Sequence, residues 1–549
     1  MALPLGLLIG QATAHDEGPA HHSPLPANAT GVMKKLYADR LPPENLSAIT
    51  GGSRSECPPG GGLIGAYPCE NVDLMAFLPL ADIGGTRSNS AANDIWGWTD
   101  IGTKREFAIV GRVFGTSFVE VTDPLNPVYL GELVTHGAFG STWRDIKVYN
   151  DHAFIVSEAL GHGMQVFDLT QLLTVSGAPV TFGETAHYNK MGSAHNIVIN
   201  EETGFAYIVG VSGKNSCSGG LHMVDIFNPT SPSFAGCYSA DGYTHDAQCV
   251  IYDGPDTAHQ GKEICFASNE DTLTIVDVTS KSAPVEISRT PYPGSAYTHQ
   301  GWLTEDQHHF LLDDELDEQN LGHDTLTRVF DVSDLKTPAV VAEFLHENVP
   351  AIDHNLYTRG HYALEANYRS GLRILDVTDP TNPSAAGHFD IFPSDDTAQF
   401  NGAWSNYPYF PSGTVVVSGI EQGLFVLRPT FADWPPTPTD PPPPDGEVLH
   451  VGALVGTSAE QRGGRWLATV TITVHDAGHA PEAGVMVDGS WSSGGSGSCT
   501  TDGTGQCSTE ISPNKRDSSV TFTVDDLTRN NDSYLSGSND VPASVTITR

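Results

Sequence analysis

The sequence predicts an all-β protein, a seven-bladed β-propeller followed by a small β-sandwich, and three observations carry that prediction. A polar pair recurs between residues 93 and 402 at intervals near fifty residues. Each pair is followed by short strands of alternating apolar residues. A proline-rich stretch then leads into a last hundred residues whose strands alternate in the same way.

The blades are read first. Their opening pairs are Asn93–Asp94, Arg144–Asp145, His195–Asn196, His245–Asp246, His299–Gln300, His354–Asn355 and Asn401–Gly402. The first members lie 51, 51, 50, 54, 55 and 47 residues apart, a period that marks a propeller or solenoid. An apolar strand follows each pair, as at Phe107–Val110, Ala153–Val156 and Ala206–Val209. A turn and a third strand come next, most often ending in an acid: Gly163–Asp168, Gly220–Asp225, Leu273–Asp277, Leu326–Asp331 and Gly371–Asp376. Most units add a fourth strand, such as Pro127–Leu133, Ala283–Ser288 and Pro338–Phe344. With 57 Gly, 37 Pro and 17% charged residues, this is the composition of a turn-rich sheet protein. The seventh unit lacks its own fourth strand. Residues 71–78 read as that strand displaced to the front of the chain, and they are expected to close the ring, because an open blade edge invites aggregation.

Around this array, which spans residues 71–430, the expected organisation is an export signal at 1–14, an irregular arm at 15–70, a linker at 431–446 and a β-sandwich at 447–549. Seven of the ten residues Pro435–Pro444 are proline, so the linker reads as an extended spacer of roughly 30 Å at about 3.1 Å per residue. Beyond it, Leu467–Val474, Gly484–Val487, Ser519–Val524 and Ser544–Thr548 read as sandwich strands. Cys499 and Cys507 flank Thr500–Gly505 as if stapling a hairpin. The module resembles the immunoglobulin-like tails of secreted bacterial hydrolases, which serve as accessory or binding units.

Met1–Gly10 is a short apolar run and Ala12-Thr13-Ala14 has the small-x-small form of a cleavage site, although the usual basic start is missing. The eight cysteines fall into four near pairs, Cys57–Cys69, Cys217–Cys237, Cys249–Cys265 and Cys499–Cys507, which are expected to be disulfides in an oxidising compartment. A secreted or cell-surface location follows. No stretch reaches 18 apolar residues, so no transmembrane segment is expected. The excess of 66 acidic over 27 basic residues, a formal charge of -39, argues against nucleic acid as a partner.

Longer motifs carry a family resemblance: Asn93-Asp-Ile-Trp-Gly-Trp98, Arg144-Asp-Ile-Lys147, His162-Gly-Met-Gln-Val-Phe-Asp168, Tyr243-Thr-His-Asp-Ala-Gln248, Tyr297-Thr-His-Gln-Gly-Trp302, Asp353-His-Asn355 and Ala366-Asn-Tyr-Arg-Ser-Gly-Leu372. Over roughly residues 55–430 the chain resembles the choice-of-anchor B family of LVIVD-repeat proteins. That resemblance implies an extracellular propeller and assigns no reaction. The family's C-termini carry varied anchors, whereas this chain continues into a sandwich module.

Function therefore rests on the residues that blade openings and the loops between second and third strands bring to one face. His195, His245, His299 and His354 would gather at the channel mouth with Asp94, Arg144, Asp145, Asp246, Gln300, Asn355, Glu158, Glu270, Glu365 and Arg369. In one reading the histidines satisfy loop carbonyls and the following Asp, Asn or Gln bonds backbone as scaffold. In another, two to four imidazoles and a carboxylate bind a divalent transition metal. The run Asp313-Asp314-Glu315-Leu316-Asp317-Glu318 is either a solvated acidic loop or, through Asp313, Asp314, Glu315 and Asp317, an irregular calcium site. Trp96, Trp98, Trp302 and Trp404 read as inter-blade core or as an aromatic floor for a ligand. No phosphate-binding, dinucleotide or serine-hydrolase motif is present, and no organic cofactor is expected. The leading expectation is an extracellular recognition protein for a peptide, glycan or protein partner. Its rival is a metal-dependent lyase or hydrolase with Arg144 or Arg369 holding a substrate carboxylate.

Overall fold

Runs of four to nine β-branched and aromatic residues, each ended by a tight turn, can bury their alternate side chains only by pairing with their chain neighbours. In the computed structural model they do so in seven successive sheets, antiparallel throughout except where Val180–Phe182 joins the edge of the first in parallel. The structure describes residues 41, 46–52, 54–435, 448–461, 465–476, 480–515, 517–529, 533–534, 541 and 543–549. The export signal expected at 1–14 and the polyproline spacer at 436–446 lie outside the described residues. The chain forms two compact units, Met1–Pro438 and Thr439–Arg549.

The innermost strands of the first unit's sheets are Ala92–Asp100, Arg144–Tyr149, Asn196–Asn200, Asp246–Ile251, Thr298–Leu303, Asn355–Arg359 and Ala403–Tyr407. Each lies against the innermost strand of the next sheet, and the seventh lies against the first. Three further strands follow outward in chain order in the first six sheets, as in Asp246–Ile251, Glu263–Ser268, Thr272–Asp277 and Val285–Pro291. This is a β-propeller architecture. In the seventh sheet the outer position is taken by Val72–Pro79, antiparallel to Gly423–Pro429 with Phe77 opposite Phe425. Phe77, Leu74, Phe425 and Leu427 are buried together between the sixth and seventh sheets.

Two boundaries expected from sequence are corrected. Residues 62–70 are not irregular: Gly62–Ile64 and Tyr67–Glu70 form a hairpin whose second strand pairs with the outer strand Ser384–Phe389 of the sixth sheet. The hairpin covers an edge that would otherwise offer unpaired backbone, and Cys57–Cys69 ties it down. Residues 431–434 are not free linker either. Phe431 stacks on Tyr362 at 4.6 Å between centroids, and the Trp434 indole N–H donates to the Gly413 carbonyl at 2.7 Å.

The second unit is two four-stranded sheets around one core. Val448–Gln461 and Arg465–Asp476 lie at the centre of one sheet, Met486–Trp491 and Ser519–Thr528 at the centre of the other. Trp466, Val470, Ile472, Val487, Phe522 and Ile547 fill the space between. All four expected disulfides are present. Cys499–Cys507 does not staple a hairpin, however. Ser496–Thr500 and Gln506–Ile511 belong to different sheets, so this bridge joins the two layers.

Candidate functional site

Because each innermost strand runs along the axis from one end to the other, residues at strand starts and strand ends form two separate constellations. The four histidines lie at the starts. Their rings follow one another, with centroids 4.4 Å apart from His195 to His245, 4.1 Å from His245 to His299 and 4.3 Å from His299 to His354.

Hydrogen bonds fix how these rings present themselves. His245 Nδ1 meets the His299 carbonyl at 2.9 Å and His354 Nδ1 meets the Trp404 carbonyl at 2.5 Å. A carbonyl only accepts, so Nδ1 carries the hydrogen in both, and a neutral ring then keeps a lone pair on Nε2. Burial, with the neighbouring imidazoles, holds His245 and His299 well below the usual histidine range. Burial pulls His354 down to about 3. His195 differs, because the Glu158 carboxylate 2.7 Å from its Nδ1 outweighs burial and raises it.

Glu315 faces this row. It accepts from the Tyr368 hydroxyl at 2.8 Å and lies 3.9 Å from His299 Nε2 and 3.8 Å from His354 Nε2. Burial pushes its carboxyl up to about 7 against the Tyr368 bond. One donor atom each from His299, Glu315 and His354 lies within 4.8 Å of the others, the spacing of ligands around one metal ion. His299 Nδ1 is buried with no hydrogen-bond partner.

Several other expected site residues are committed to structure. Asp145 accepts from Ile197 N of the next sheet at 2.7 Å and from Lys147 Nζ at 2.7 Å. Gln300 exchanges two bonds with the Leu356 backbone, at 2.9 and 3.0 Å. Asn355 reaches Asp94 at 3.4 Å, and Asp246 accepts from Ala247 N at 2.7 Å. Burial and the Asp145 charge push Asp246 up to about 7; burial raises Asp94 well above its usual range despite Lys147.

Neither arginine is positioned as a substrate clamp. Arg144 is buried and bonds the Arg112 carbonyl, Thr135 and His162, and burial brings it down to about 9. Arg369 binds Asn401, Asp395 and Thr397. Glu365 lies apart from the histidines and accepts from Thr327, His346 and Asn367. Glu270 is held at positive φ, and burial pushes its carboxyl to about 7.

The acidic run is not a solvated loop: Asp313, Asp314, Glu315, Asp317 and Glu318 are all buried. Asp314 is saturated by Tyr292 OH, Ala296 N and Tyr297 N at 2.8, 2.8 and 2.6 Å, and Glu315 turns to the histidines. The expected calcium set is therefore divided.

At the strand ends lies a feature the sequence reading did not place. A cavity of about 570 Å³ is lined by residues from all seven sheets and by none of the four histidines. Its walls include Trp96, Trp302, Tyr407 and Tyr409, with Lys147, Glu201, Glu202 and Glu305 among them. Trp96 and Trp302 pack edge-on to Tyr357 at 5.4 and 5.0 Å, which fixes their faces. The Tyr409 hydroxyl is buried without a partner. Trp98 and Trp404 lie elsewhere, stacked on Phe107 and against His354. A partly exposed trio, His136, Glu184 and His187, also went unread, since its members come from separate segments at the outer strands of the first two sheets.

Fold and site geometry thus define a β-propeller with a distinct side-chain constellation at each end of its axis. The repeat type is LVIVD: residues 191–240, 259–290 and 354–391 match that repeat, which places it on the third, fourth and sixth sheets. Comparison with curated proteins gives no match. Among solved structures, the chain is similar to the Cps50 (Swd1) β-propeller domain of Myceliophteria thermophila, with 12% identity, 63% of this chain and 100% of that chain covered, and a TM-score of 0.41. It is also similar to an extracellular domain from B. thetaiotaomicron assigned to a one component system, with 11% identity, coverage of 86% and 57%, and a TM-score of 0.40. A Lactobacillus plantarum protein gives 11% identity, coverage of 77% and 99%, and a TM-score of 0.40.

Proposed function

We propose that this chain is a secreted seven-bladed propeller with an immunoglobulin-like tail, and that it acts as a recognition protein whose ligand seat is the axial cavity at the strand ends. The carrying observation is the ligand-sized cavity walled by fixed aromatic faces with carboxylates between them. Lys147 is neutralised by Asp145 and Asp94, so Glu201, Glu202 and Glu305 leave the cavity net negative. An anionic ligand is disfavoured. A neutral sugar suits it, with its apolar ring face on Trp302 and its hydroxyls donating to the carboxylates. Titration with neutral oligosaccharides by calorimetry tests this. Trp302→Ala is expected to weaken binding at least about tenfold, a loss of about 1.4 kcal/mol or more, with the variant first shown to be folded by its cooperative melt. If no neutral glycan binds and a lysine-rich peptide does, the ligand class is wrong.

A second reading has its own observation. The His245 and His354 Nε2 lone pairs, oriented by Nδ1–H bonds to carbonyls, sit beside His299 and Glu315 in the arrangement that supports imidazole ligation of zinc, copper or nickel. Elemental analysis of wild type and of the His299→Ala/His354→Ala variant tests it. Less than about 0.1 equivalent of transition metal in wild type after incubation and desalting would remove this reading.

A further inference from the structure

We propose that Asp313, Asp317, Glu318 and Asp353 form a buried calcium site between the fifth and sixth sheets, independent of both ends of the axis. Asp313 is the penultimate residue of the second strand of the fifth sheet, Asp317 and Glu318 begin the short helix Asp317–Leu321, and Asp353 precedes the first strand of the sixth. Chain segments distant in sequence thus bring four acids into one buried region, and none exposes more than 3% of its surface.

What distinguishes these acids is the shortage of donors. Both carboxylate oxygens of Asp313 and Glu318, and one of Asp353, are buried with no hydrogen-bond partner, and Asp317 is faced only by Arg328 and, at 3.6 Å, by His323. Their neighbours show that the fold supplies donors where a lone anion is to be held. Asp314 receives three, and Glu365 receives three, one of them from the Thr327 hydroxyl.

Positive charge is also short. Arg328 lies 2.7 Å from Asp317 and balances one of the four acids. A dication would bring the group to within one charge of neutrality, which burial in low dielectric demands.

The spacing fits a large, oxygen-seeking ion. Donor atoms of Asp317, Glu318 and His323 lie within 4.8 Å of one another, twice a Ca–O bond of about 2.4 Å. His323 is half-buried at the edge of the group, so the buried donors are oxygens, which suit calcium better than zinc or copper. Asp313 and Asp353, near enough for their charges to act on one another and on Glu318, are the carboxylates placed to complete the shell in this proposal.

The experiment uses the full chain, stripped with EGTA and titrated with CaCl2 by calorimetry and thermal melting. One calcium per chain is expected, with Kd at or below about 10⁻⁴ M and a Tm rise of at least about 3 °C at a hundredfold excess over Kd. Asp317→Asn with Glu318→Gln should weaken binding at least about tenfold, while His299→Ala/His354→Ala and Trp302→Ala should leave it unchanged. Should the carboxamide variant fail to fold, terbium luminescence of the wild type, sensitised by Tyr292, and its quenching by added calcium decide the matter. Absence of calcium heat and of terbium signal at 1 mM ion would overturn the proposal. So would displacement of calcium by equimolar zinc, or calcium binding lost with the histidines.

Discussion

Removing one ring from Val72–Pro79 tests whether this strand holds the propeller together. Phe77 is 1% exposed, and its ring lies 4.5 Å from that of Phe425 in the opposite strand, tilted by 37°. Leu74, Val417 and Leu427 share the same core, so Phe77→Ala leaves a void that rigid strands can only partly fill. Truncations of this kind cost about 3–5 kcal/mol, of which the aromatic pair accounts for roughly 0.5–1.5. The backbone bonds between Phe77 and Ile49, at 2.8 and 2.9 Å, survive the substitution, so the loss reports packing. We therefore expect about 4 kcal/mol for Phe77→Ala and on the order of 1 kcal/mol for Phe77→Leu, which keeps most of the volume. Urea unfolding of the full chain, followed by tryptophan fluorescence, provides the assay. Six of the eight tryptophans lie in the first unit and dominate its transition. A loss below about 1 kcal/mol for Phe77→Ala would mean that the strand is an accessory flap and the reasoning about closure is wrong.

Three further outcomes follow from the same structure. His162, facing Arg144, Gln165 and His136, is held at about 3 by burial and then by the Arg144 charge, so between pH 6.5 and about 3 the unfolded chain takes up one more proton. Its contribution is full above 6.5 and falls with acid by up to about 1.4 kcal/mol per pH unit, and His162→Gln should flatten the pH dependence of melts across that range by that amount, leaving the part due to the other depressed histidines. Lys147→Met leaves Asp145 and Asp94 buried without their cation and should cost about 3–5 kcal/mol in urea, whereas an unchanged midpoint would show that both acids are already protonated. Gly97→Ala places a Cβ about 2.1 Å from the Tyr407 ring and must drive that ring toward the axial cavity, so glycan affinity should fall together with Tm; unaltered affinity would separate Tyr407 from the seat.

The fold was legible where the chemistry repeats. Polar pairs at a fifty-residue period and strands on a two-residue period are local signals, and the sheets follow them almost residue for residue. The site was legible only in part, for a geometric reason. Strand starts carry polar residues that stand out in sequence, so His195, His245, His299 and His354 announce themselves. Strand ends carry residues such as Tyr407, Tyr409 and Glu201, which look like ordinary core or turn positions until seven sheets bring them to one axis. Exposure misleads in the same way. Asp313–Glu318 reads as a solvated run because nothing local shows that the sixth sheet covers it, and Asp353 joins it from forty residues away. Arg144 and Arg369 suggest anion clamps, yet their donors are already spent on carbonyls, hydroxyls and amides of neighbouring loops.

The seam in the seventh sheet also sets how the molecule bears load. Val72, where the chain enters the seventh sheet, lies opposite Pro429, where it leaves. Once the hairpin at 62–70 has parted from the sixth sheet, tension along the chain pulls on the same end of one antiparallel ladder, opening its bonds in succession rather than shearing them together. A cysteine pair across Asp73 and Arg428, which face each other in register, would lock that ladder.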